Sequence, residues 1–277
     1  MQQETQFILQ GAEFAYANTA EKILRGIDLE IRAGEWVALL GSNGSGKSTL
    51  LKILSALLTP TQGFCFVRGL DTCEAKPEQL RGITSIVFQN PEDQIVAAVV
   101  EEEAAFGPEN LGCPTEEICR RVKTSLKATG LWERRRDLVS SLSGGQKQRL
   151  ALSGALAMHP QAILLDEALS MLDPRSRLEF TEIIKREHAK GVTIVEVTHR
   201  LEEIRCAGRV IVLENGRISC DMSARDFLDK SAAELASMHL MKPPVERLAE
   251  ILRAEGFIPD GCPADAASLT KELCRLL

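Results

Sequence analysis

The sequence predicts an α/β fold with an inserted helical segment, on three observations. Short apolar runs typical of strands alternate with helical patterns over most of the chain. One of these runs leads directly into a glycine-rich loop, which is followed by a helical pattern. Between residues 92 and 158 the sequence becomes charged, helical and poor in strand patterns. We therefore expect a sheet domain into which residues 92–158 are inserted as a helical subdomain.

The individual elements follow in chain order. Residues 27–32 alternate between apolar and charged side chains, as in a half-buried strand. The apolar run 36–40 enters the glycine-rich loop, and a helix is expected at 48–58. Further strands are expected at 83–88, 162–165 and 192–197, and a late hairpin at 210–218 with Asn-Gly at its turn.

The end of the chain is predicted to be a small helical extension. Leu248, Ile251 and Leu252 recur at helical spacing between two proline-containing stretches. We therefore divide the chain into a domain at 1–232 and a C-terminal accessory or dimerisation segment at 233–277.

Composition and charge argue against several classes of function. The 277 residues carry a net charge of −6, whereas nucleic-acid-binding proteins usually present a basic surface. No apolar run approaches the length of a membrane span, and the N-terminus lacks the features of a secretory signal. The eight cysteines are scattered without a Cys-x-x-Cys pair, so we expect free thiols in a reducing cytoplasm.

The glycine-rich loop predicts a phosphate-binding site. A strand, a glycine-rich turn and a helix direct several backbone N–H groups at a phosphate, and glycine lets the backbone approach it closely. Lys47 is expected to bind the β- and γ-phosphates, Ser48 to bind Mg²⁺, and Thr49 to contact the α-phosphate. A chance match in a glycine-containing turn is the alternative. The predicted nucleotide-binding residues are Gly41, Ser42, Asn43, Gly44, Ser45, Gly46, Lys47, Ser48 and Thr49.

Residues 163–167 predict a pair of carboxylates at the end of a buried strand. The apolar residues bury the strand, so Asp166 emerges at its carboxyl end, where it is expected to hold Mg²⁺ through water. Glu167 follows directly and is expected to polarise the attacking water. The alternative is a strand that ends in a solvated acidic turn.

Two further polar residues follow predicted strands. His199 is expected to hydrogen-bond the γ-phosphate and hold the attacking water, although a histidine at a strand end is often structural. Gln89 is expected to reach Mg²⁺ or the attacking water, so it is both a catalytic and a metal-binding candidate.

Tyr16, the only tyrosine in the chain, precedes the glycine-rich loop. An aromatic face in this position is expected to stack on adenine. A surface or core aromatic is the alternative.

Residues 143–146, Ser-Gly-Gly-Gln, match a helix capping box ahead of a helix at 147–158. A capped helix start also presents free N–H groups and the positive end of the helix dipole, which suit a γ-phosphate. The two interpretations use the same geometry. Four further nucleotide-binding candidates follow, namely Ser143, Gly144, Gly145 and Gln146.

Together these motifs resemble the ATP-binding cassette (ABC) ATPases over residues 5 to about 230. The correspondences are Tyr16 to the aromatic A-loop, 41–49 to Walker A, Gln89 to the Q-loop, 142–146 to the signature peptide, 163–167 to Walker B with its catalytic glutamate, 170–173 to the D-loop and His199 to the switch histidine. The resemblance implies a P-loop NTPase fold with a mixed sheet core, a β subdomain and the helical subdomain. It also implies a head-to-tail dimer with a second copy or a paralogue, with two ATP molecules between the subunits.

A finer resemblance concerns residues 87–96, 105–110 and 167–174, which are similar to the ATPase subunits of energy-coupling factor transporters. These transporters import vitamins or transition-metal ions. Residues 240–244 are similar to the extra C-terminal domain of that group. The resemblance implies ATP and Mg²⁺ as cofactors and a peripheral position on the cytoplasmic face of the cell membrane. It also implies an integral membrane coupling subunit that binds at about Asn90–Ala98, and a separate substrate-binding membrane subunit.

Several alternatives stay open. A solvated amphipathic helix is the alternative for residues 90–98. For the whole chain, the alternatives are a soluble ABC ATPase of another system, such as iron–sulfur assembly, or the ATPase of a different ABC importer. No nucleic-acid partner is expected. DNA-repair cassettes need a long coiled-coil insertion, and this sequence has none.

Overall fold

The computed structural model describes residues 4–17, 21–237, 244–259, 261–263 and 266–276. Its strands are β1 Thr5–Phe14, β2 Leu24–Arg32, β3 Trp36–Leu40, β4 Gln62–Val67, β5 Leu70–Asp71, β6 Thr84–Val87, β7 Ala162–Asp166, β8 Thr193–Val197, β9 Arg209–Glu214 and β10 Arg217–Ser223. Its α-helices are α1 Lys47–Leu54, α2 Pro77–Leu80, α3 Val100–Asn110, α4 Thr115–Ala128, α5 Gly144–Ala157, α6 Pro174–His188, α7 Leu201–Ile204, α8 Ala224–Leu228, α9 Ala232–Ser237, α10 Pro244–Ala254 and α11 Ala266–Leu276.

The strands form two sheets. The smaller sheet has the order β2-β1-β4-β5 and is antiparallel. The larger sheet has the order β10-β9-β3-β8-β7-β6, in which only the β9–β10 pair is antiparallel. The central strands β3, β7 and β8 are buried along their whole length, which explains why their sequences are almost continuously apolar. This mixed sheet core with a separate β sheet confirms the predicted fold class.

Alternate residues of the larger sheet pack into two different cores. In β3, Val37 and Leu39 belong to the core that also contains α1 and the antiparallel sheet. The neighbouring residues Ala38 and Leu40 belong to the opposite core, which contains helices α5 to α8. The period of two along the strand therefore places one helical layer behind the sheet and α1 between the two sheets.

Helix α5 connects the large sheet to a third core. The residues of α3, α4 and the following turns pack around Val100 and Leu126, and Leu150 of α5 joins this cluster. Leu152, half a turn further along α5, packs instead in the core beneath the sheet. Because α5 packs in both cores, a movement of α3 and α4 relative to the large sheet must involve α5.

The C-terminal helices α10 and α11 form a small core of their own around Ala249 and Leu269. An ion pair between Arg205, the residue after α7, and the buried Glu246 of α10 connects this core to the rest of the chain. The boundary at residues 232 and 233 stays a prediction, and residues 240–243 lie outside the described residues. Within the described ranges, no helix is both long and apolar enough to cross a bilayer.

One local expectation is wrong, and the structure excludes one of the alternatives. The helix after the glycine-rich loop ends at Leu54 and not at residue 58, because Ala56 adopts a left-handed conformation with φ 57°. Residues 90–98 do not form an amphipathic helix. They contain one 3₁₀ turn, Pro91–Asp93, followed by irregular backbone up to α3.

A carboxyl group lies inside the larger sheet. Glu196 of β8 is 3% exposed, and its Oε2 accepts a hydrogen bond of 3.2 Å from Nε1 of Trp36 in β3. Burial, and secondarily the charge of Glu203, raises the pKa of Glu196 to about 8. The unfolded chain releases this proton near pH 4.3. Between these two values the folded state retains a proton that the unfolded state has lost, so the free energy of unfolding falls as pH rises.

We expect Glu196→Gln to remove this pH dependence, since glutamine keeps the acceptor for Trp36 and cannot ionise. We subtract the free energy of unfolding of the wild type from that of the variant. This difference should increase by about 1 kcal/mol or more between pH 5 and pH 8. Urea unfolding at several pH values measures it. The exposed Glu202 provides the control variant Glu202→Gln. A difference that is the same at all pH values would contradict the assignment.

Candidate functional site

The loop between β3 and α1 has a backbone that only glycine allows at two positions. Gly41 has φ 146°, and a Cβ atom there would lie 2.1 Å from the Leu213 carbonyl oxygen. Gly46 has φ 106°, and its Cβ would lie 2.8 Å from Leu24 Cδ2. Gly46 is also the N-cap of α1 and offers no side chain to the first N–H groups of the helix. Those N–H groups are thus suited to bind an anion.

Lys47 lies folded over this loop and is 5% exposed. Its Nζ donates hydrogen bonds of 2.9 Å to the Gly41 carbonyl and 2.8 Å to the Ser42 carbonyl. Burial lowers the pKa of Lys47, while the charges of Glu167 and Asp166 act in the opposite direction. A buried cation next to a helix start is suited to bind a polyanion such as a nucleoside triphosphate.

Ser48 and Asp166 are in contact at the end of β7. The Ser48 hydroxyl donates a 2.9 Å hydrogen bond to Asp166 Oδ1. Burial raises the pKa of Asp166, and the bond from Ser48 acts against this shift. A hydroxyl and a carboxylate oxygen at this separation are the hard oxygen ligands that Mg²⁺ prefers when it is shared with phosphates. The residues present therefore fit a Mg²⁺ ion.

Glu167 and His199 also meet at this edge of the sheet. His199 Nε2 lies 2.6 Å from Glu167 Oε1. Glu167 has a positive φ of 51°, and its N–H donates a 3.2 Å hydrogen bond to the carbonyl of Val197 in β8. The strand end, the left-handed turn and the neighbouring strand together direct the Glu167 carboxylate toward the histidine.

Gln89 lies two residues after β6, and among the described residues it has no hydrogen bond to Ser48 or Asp166. Its Nε2 donates a 3.2 Å hydrogen bond to Ser170 Oγ. The Ser170 hydroxyl in turn donates a 2.8 Å hydrogen bond to the carbonyl of Glu167. The structure thus connects Gln89 to the backbone of the catalytic candidate, and its metal-binding role stays a prediction.

Tyr16 lies beside the end of the glycine-rich loop. Its hydroxyl shares a 3.3 Å hydrogen bond with Thr49 Oγ1, and its ring packs edge-on against Phe14 with the centroids 4.9 Å apart. The side chain is 41% exposed, so part of the ring faces solvent. Stacking of adenine on this ring stays a prediction.

Residues 143–146 form the predicted capping box at the start of α5. Ser143 Oγ accepts a 3.4 Å hydrogen bond from the Gln146 N–H, and Gln146 Oε1 accepts one of 2.9 Å from the Ser143 N–H. Arg134, which the sequence analysis did not identify, donates a 2.7 Å hydrogen bond to the same Gln146 Oε1. Within the described part of the chain, no hydrogen bond joins residues 143–146 to residues 41–49.

Three side chains fix the segment after Gln89, and two of them, Glu103 and Gln148, are absent from the sequence-based predictions. Gln94 accepts a 3.2 Å hydrogen bond from the Phe88 N–H through Oε1 and donates one of 3.1 Å to the Ile86 carbonyl through Nε2. The buried Glu103 of α3 accepts hydrogen bonds from the N–H groups of residues 96 and 97 at 2.9 and 2.7 Å. Gln148 of α5 donates a 2.8 Å hydrogen bond to the Phe88 carbonyl. The Gln148 bond joins residues 60 positions apart, whereas the bonds of Gln94 and Glu103 close the turn between β6 and α3.

A groove of about 630 Å³ lies next to this segment. It lies between the end of α1, the loop around α2 and the helices at 92–158, and its lining includes Leu57, Phe88, Gln94, Phe106, Gly107 and Met158. Gly107 and Met158 approach closely here, since a Cβ atom at residue 107 would lie 2.7 Å from Met158 Cγ and would displace that side chain. The lining is largely apolar, which suits the face of a partner's helix.

Comparison with known proteins gives consistent results. The ABC transporter family model matches residues 24–170. The energy-coupling factor transporter ATP-binding protein EcfA1 of Caldanaerobacter subterraneus subsp. tengcongensis is 44% identical over 253 residues, which cover 90% of this chain and 91% of that protein. EcfA of Methanosarcina acetivorans is 44% identical over 255 residues, which cover 91% of this chain and 92% of that protein.

Solved structures resemble this chain as well. The structure of cbiO1 from Clostridium perfringens, described as part of the ABC transporter complex cbiONQ, has a TM-score of 0.75 and 28% identity over 90% of this chain and 99% of that one. The ATP-binding cassette MJ0796, a dimer in a post-hydrolysis state with ADP and Pi, has a TM-score of 0.71 and 28% identity over 79% of this chain and 99% of that one. Because the family match contains the glycine-rich loop, the signature peptide and the carboxylate pair, and because the relatives align along nine-tenths of the chain, the chain belongs to the ATP-binding cassette family as an ATP-binding subunit of the energy-coupling factor type.

Proposed function

We propose that this chain uses ATP hydrolysis, the reaction of its family, to drive import of a vitamin or a transition-metal ion through membrane subunits. The observation that carries the proposal is the Glu167–His199 contact of 2.6 Å at the same sheet edge as Lys47 and the Ser48–Asp166 pair. A carboxylate and an imidazole in contact suit the activation of water, and the cation and hydroxyl suit the phosphates.

Each group has a separate task in this proposal. The N–H groups of the loop and Lys47 bind the phosphates, and the face of Tyr16 supports adenine. Glu167 orients the attacking water and accepts its proton, while His199 donates a hydrogen bond to the γ-phosphate. Ser48, Asp166 and Gln89 would hold Mg²⁺, which when bound neutralises phosphate charge.

The signature residues 143–146 are assigned to a nucleotide on a second subunit. Their helix start is capped and carries the positive end of the α5 dipole, yet no hydrogen bond among the described residues joins it to the glycine-rich loop. The structural relative MJ0796 is described as a dimer with ADP and Pi. A head-to-tail dimer with a second copy or a paralogue would bring each signature to the other subunit's ATP.

Residues 90–98 and the neighbouring groove are assigned to an integral membrane coupling subunit. Val96 is 64% exposed, although the backbone beside it is held by the buried Glu103. A rigid, apolar edge next to an apolar groove suits a helix of a membrane protein, and the separate substrate-binding subunit would contact that protein. This arrangement would hold the chain at the cytoplasmic face of the cell membrane. The names of the relatives favour it over a soluble iron–sulfur assembly ATPase.

The segment 233–277 is assigned to contacts with a second ATPase subunit. Leu248 and Ile251 of α10 are 45% and 52% exposed, and Phe257 after the helix is 54% exposed. Three large apolar side chains on a small helical unit are suited to an isologous contact with another copy.

We expect Glu167→Gln to bind ATP with nearly unchanged affinity and to hydrolyse it about 10²–10⁴ times more slowly, since the amide cannot accept the proton. ATP binding then accumulates a closed dimer, which light scattering detects. The control is Glu202→Gln, an exposed carboxylate on α7. Hydrolysis by Glu167→Gln at the wild-type rate would show that the catalytic assignment is wrong.

We expect Val96→Asp to abolish binding to the membrane subunits and to reduce uptake at least about tenfold, because it places a charge in an apolar interface. ATP binding by the isolated chain should be unchanged. Leu178→Asp on α6, where the leucine is 70% exposed, is the matched control. Co-purification and uptake in vesicles are measured. Normal uptake by Val96→Asp would exclude this edge as the docking surface.

A further inference from the structure

Two consecutive residues of α5, directly after the signature, contact the loop that carries Gln89. Gln148 Nε2 donates a 2.8 Å hydrogen bond to the carbonyl of Phe88, the residue before Gln89. Lys147 Nζ lies 2.5 Å from Glu92 Oε1, three residues after Gln89. The backbone on both sides of Gln89 is therefore attached to the helix that begins with the signature.

The Gln148 bond is the stronger of the two connections. Gln148 is 2% exposed, whereas the Glu92 side chain is 66% exposed, and exposed ion pairs contribute little. The other side-chain atom of Gln148, Oε1, is buried and has no hydrogen-bond partner among the described residues. Phe88 is also fixed from the opposite side by Gln94. Among the described residues, the bond to Phe88 is therefore the only hydrogen bond that the Gln148 side-chain amide makes.

The bonded route continues from Gln89 to the hydrolytic residues. Gln89 Nε2 donates a 3.2 Å hydrogen bond to Ser170 Oγ, and the Ser170 hydroxyl donates one of 2.8 Å to the Glu167 carbonyl. Glu167 in turn contacts His199. A displacement of Phe88 therefore acts, through two hydrogen bonds, on the residue assigned to activate water.

Helix α5 connects the signature rigidly to this route. Gly144 is its first residue and Gln148 lies four positions later, on the same helical face one turn away. The capping box closes the first turn, and Arg134 holds the Gln146 side chain. A shift of the signature is transmitted to Gln148 because the helical hydrogen bonds do not stretch appreciably over one turn.

We propose that Gln148 is a positioning residue that couples the two ATP sites of the dimer. The signature of a subunit contacts the partner's nucleotide, and Gln148 transmits the position of that signature to Gln89 and Glu167 in the subunit's own site. Occupancy of one site thereby changes hydrolysis at the other, which is a coupling free energy between sites. The proposal rests on the head-to-tail dimer of the proposed function.

Gln148→Met tests the proposal, because methionine keeps the length of the side chain and removes the donor to Phe88. The assembled complex of the full chain with its partner subunits is assayed for ATP hydrolysis as a function of ATP concentration. The wild type should have a Hill coefficient clearly above 1, with an upper limit of about 2 for two sites. In Gln148→Met the coefficient should fall to about 1 and kcat should decrease, while ATP affinity of the isolated chain changes less than about twofold.

Arg149→Met is the matched control, since it removes the adjacent 2.6 Å ion pair of α5 with Glu179 of α6 and leaves the Phe88 bond intact. It should retain the wild-type Hill coefficient. In a Gln89→Ala background, Gln148→Met should have no further effect on kcat, because it acts through Gln89. A merely structural role would instead give additive losses.

Three results would overturn the proposal: a wild-type Hill coefficient of 1, an unchanged coefficient in Gln148→Met, or additive effects of Gln89→Ala and Gln148→Met. Failure of the proposed function would give a different result. In that case the wild-type complex itself would not hydrolyse ATP, or it would hydrolyse ATP without uptake of any solute.

Discussion

The parallel register of β6, β7 and β8 is the constraint on which the site depends. Val87 lies opposite Leu165, and Asp166 lies opposite Val197. Gln89 lies two residues after Val87, and Glu167 lies two residues after Leu165. His199 lies two residues after Val197. A strand advances about 3.3 Å per residue, so a slip of one residue would separate Glu167 from His199 by more than their 2.6 Å contact allows. The pairing of the buried strands therefore sets the geometry of the Glu167 carboxylate and the His199 imidazole.

The same sheet edge fixes the glycine-rich loop from the other side. The Leu213 carbonyl of β9 approaches Gly41 so closely that a Cβ atom would lie 2.1 Å from it. Any side chain at Gly41 would force the loop away from β9, and with it the carbonyls of Gly41 and Ser42 that hold the Lys47 ammonium group. Cation position, loop conformation and sheet packing are thus consequences of one close approach.

The sequence predicts those parts of the site that depend on local chemistry. The glycine-rich loop, the carboxylates after β7 and the capping box of α5 can be recognised because turn, strand end and helix start each require particular residue types at short spacing. Fold class follows for a similar reason, since buried parallel strands leave continuous apolar runs. Gln94, Glu103, Arg134 and Gln148 carry no such signal. Their contacts depend on the folded backbone, either across 60 residues, as for Gln148 and Phe88, or around the turn after β6, as for Gln94.

Glu167, the residue to which we assign activation of water, shows why the site needs these contacts between elements. Glu167 has φ 51°, a conformation that costs a non-glycine residue about 1–3 kcal/mol and persists only when its surroundings fix it. Its N–H is bonded to Val197 of β8, and its carbonyl accepts a bond from Ser170. Each of these two hydrogen bonds contributes about 1 kcal/mol, which is comparable with the strain. The backbone conformation of Glu167 therefore depends on its bonds to Val197 and Ser170, and Ser170 is in turn bonded to Gln89.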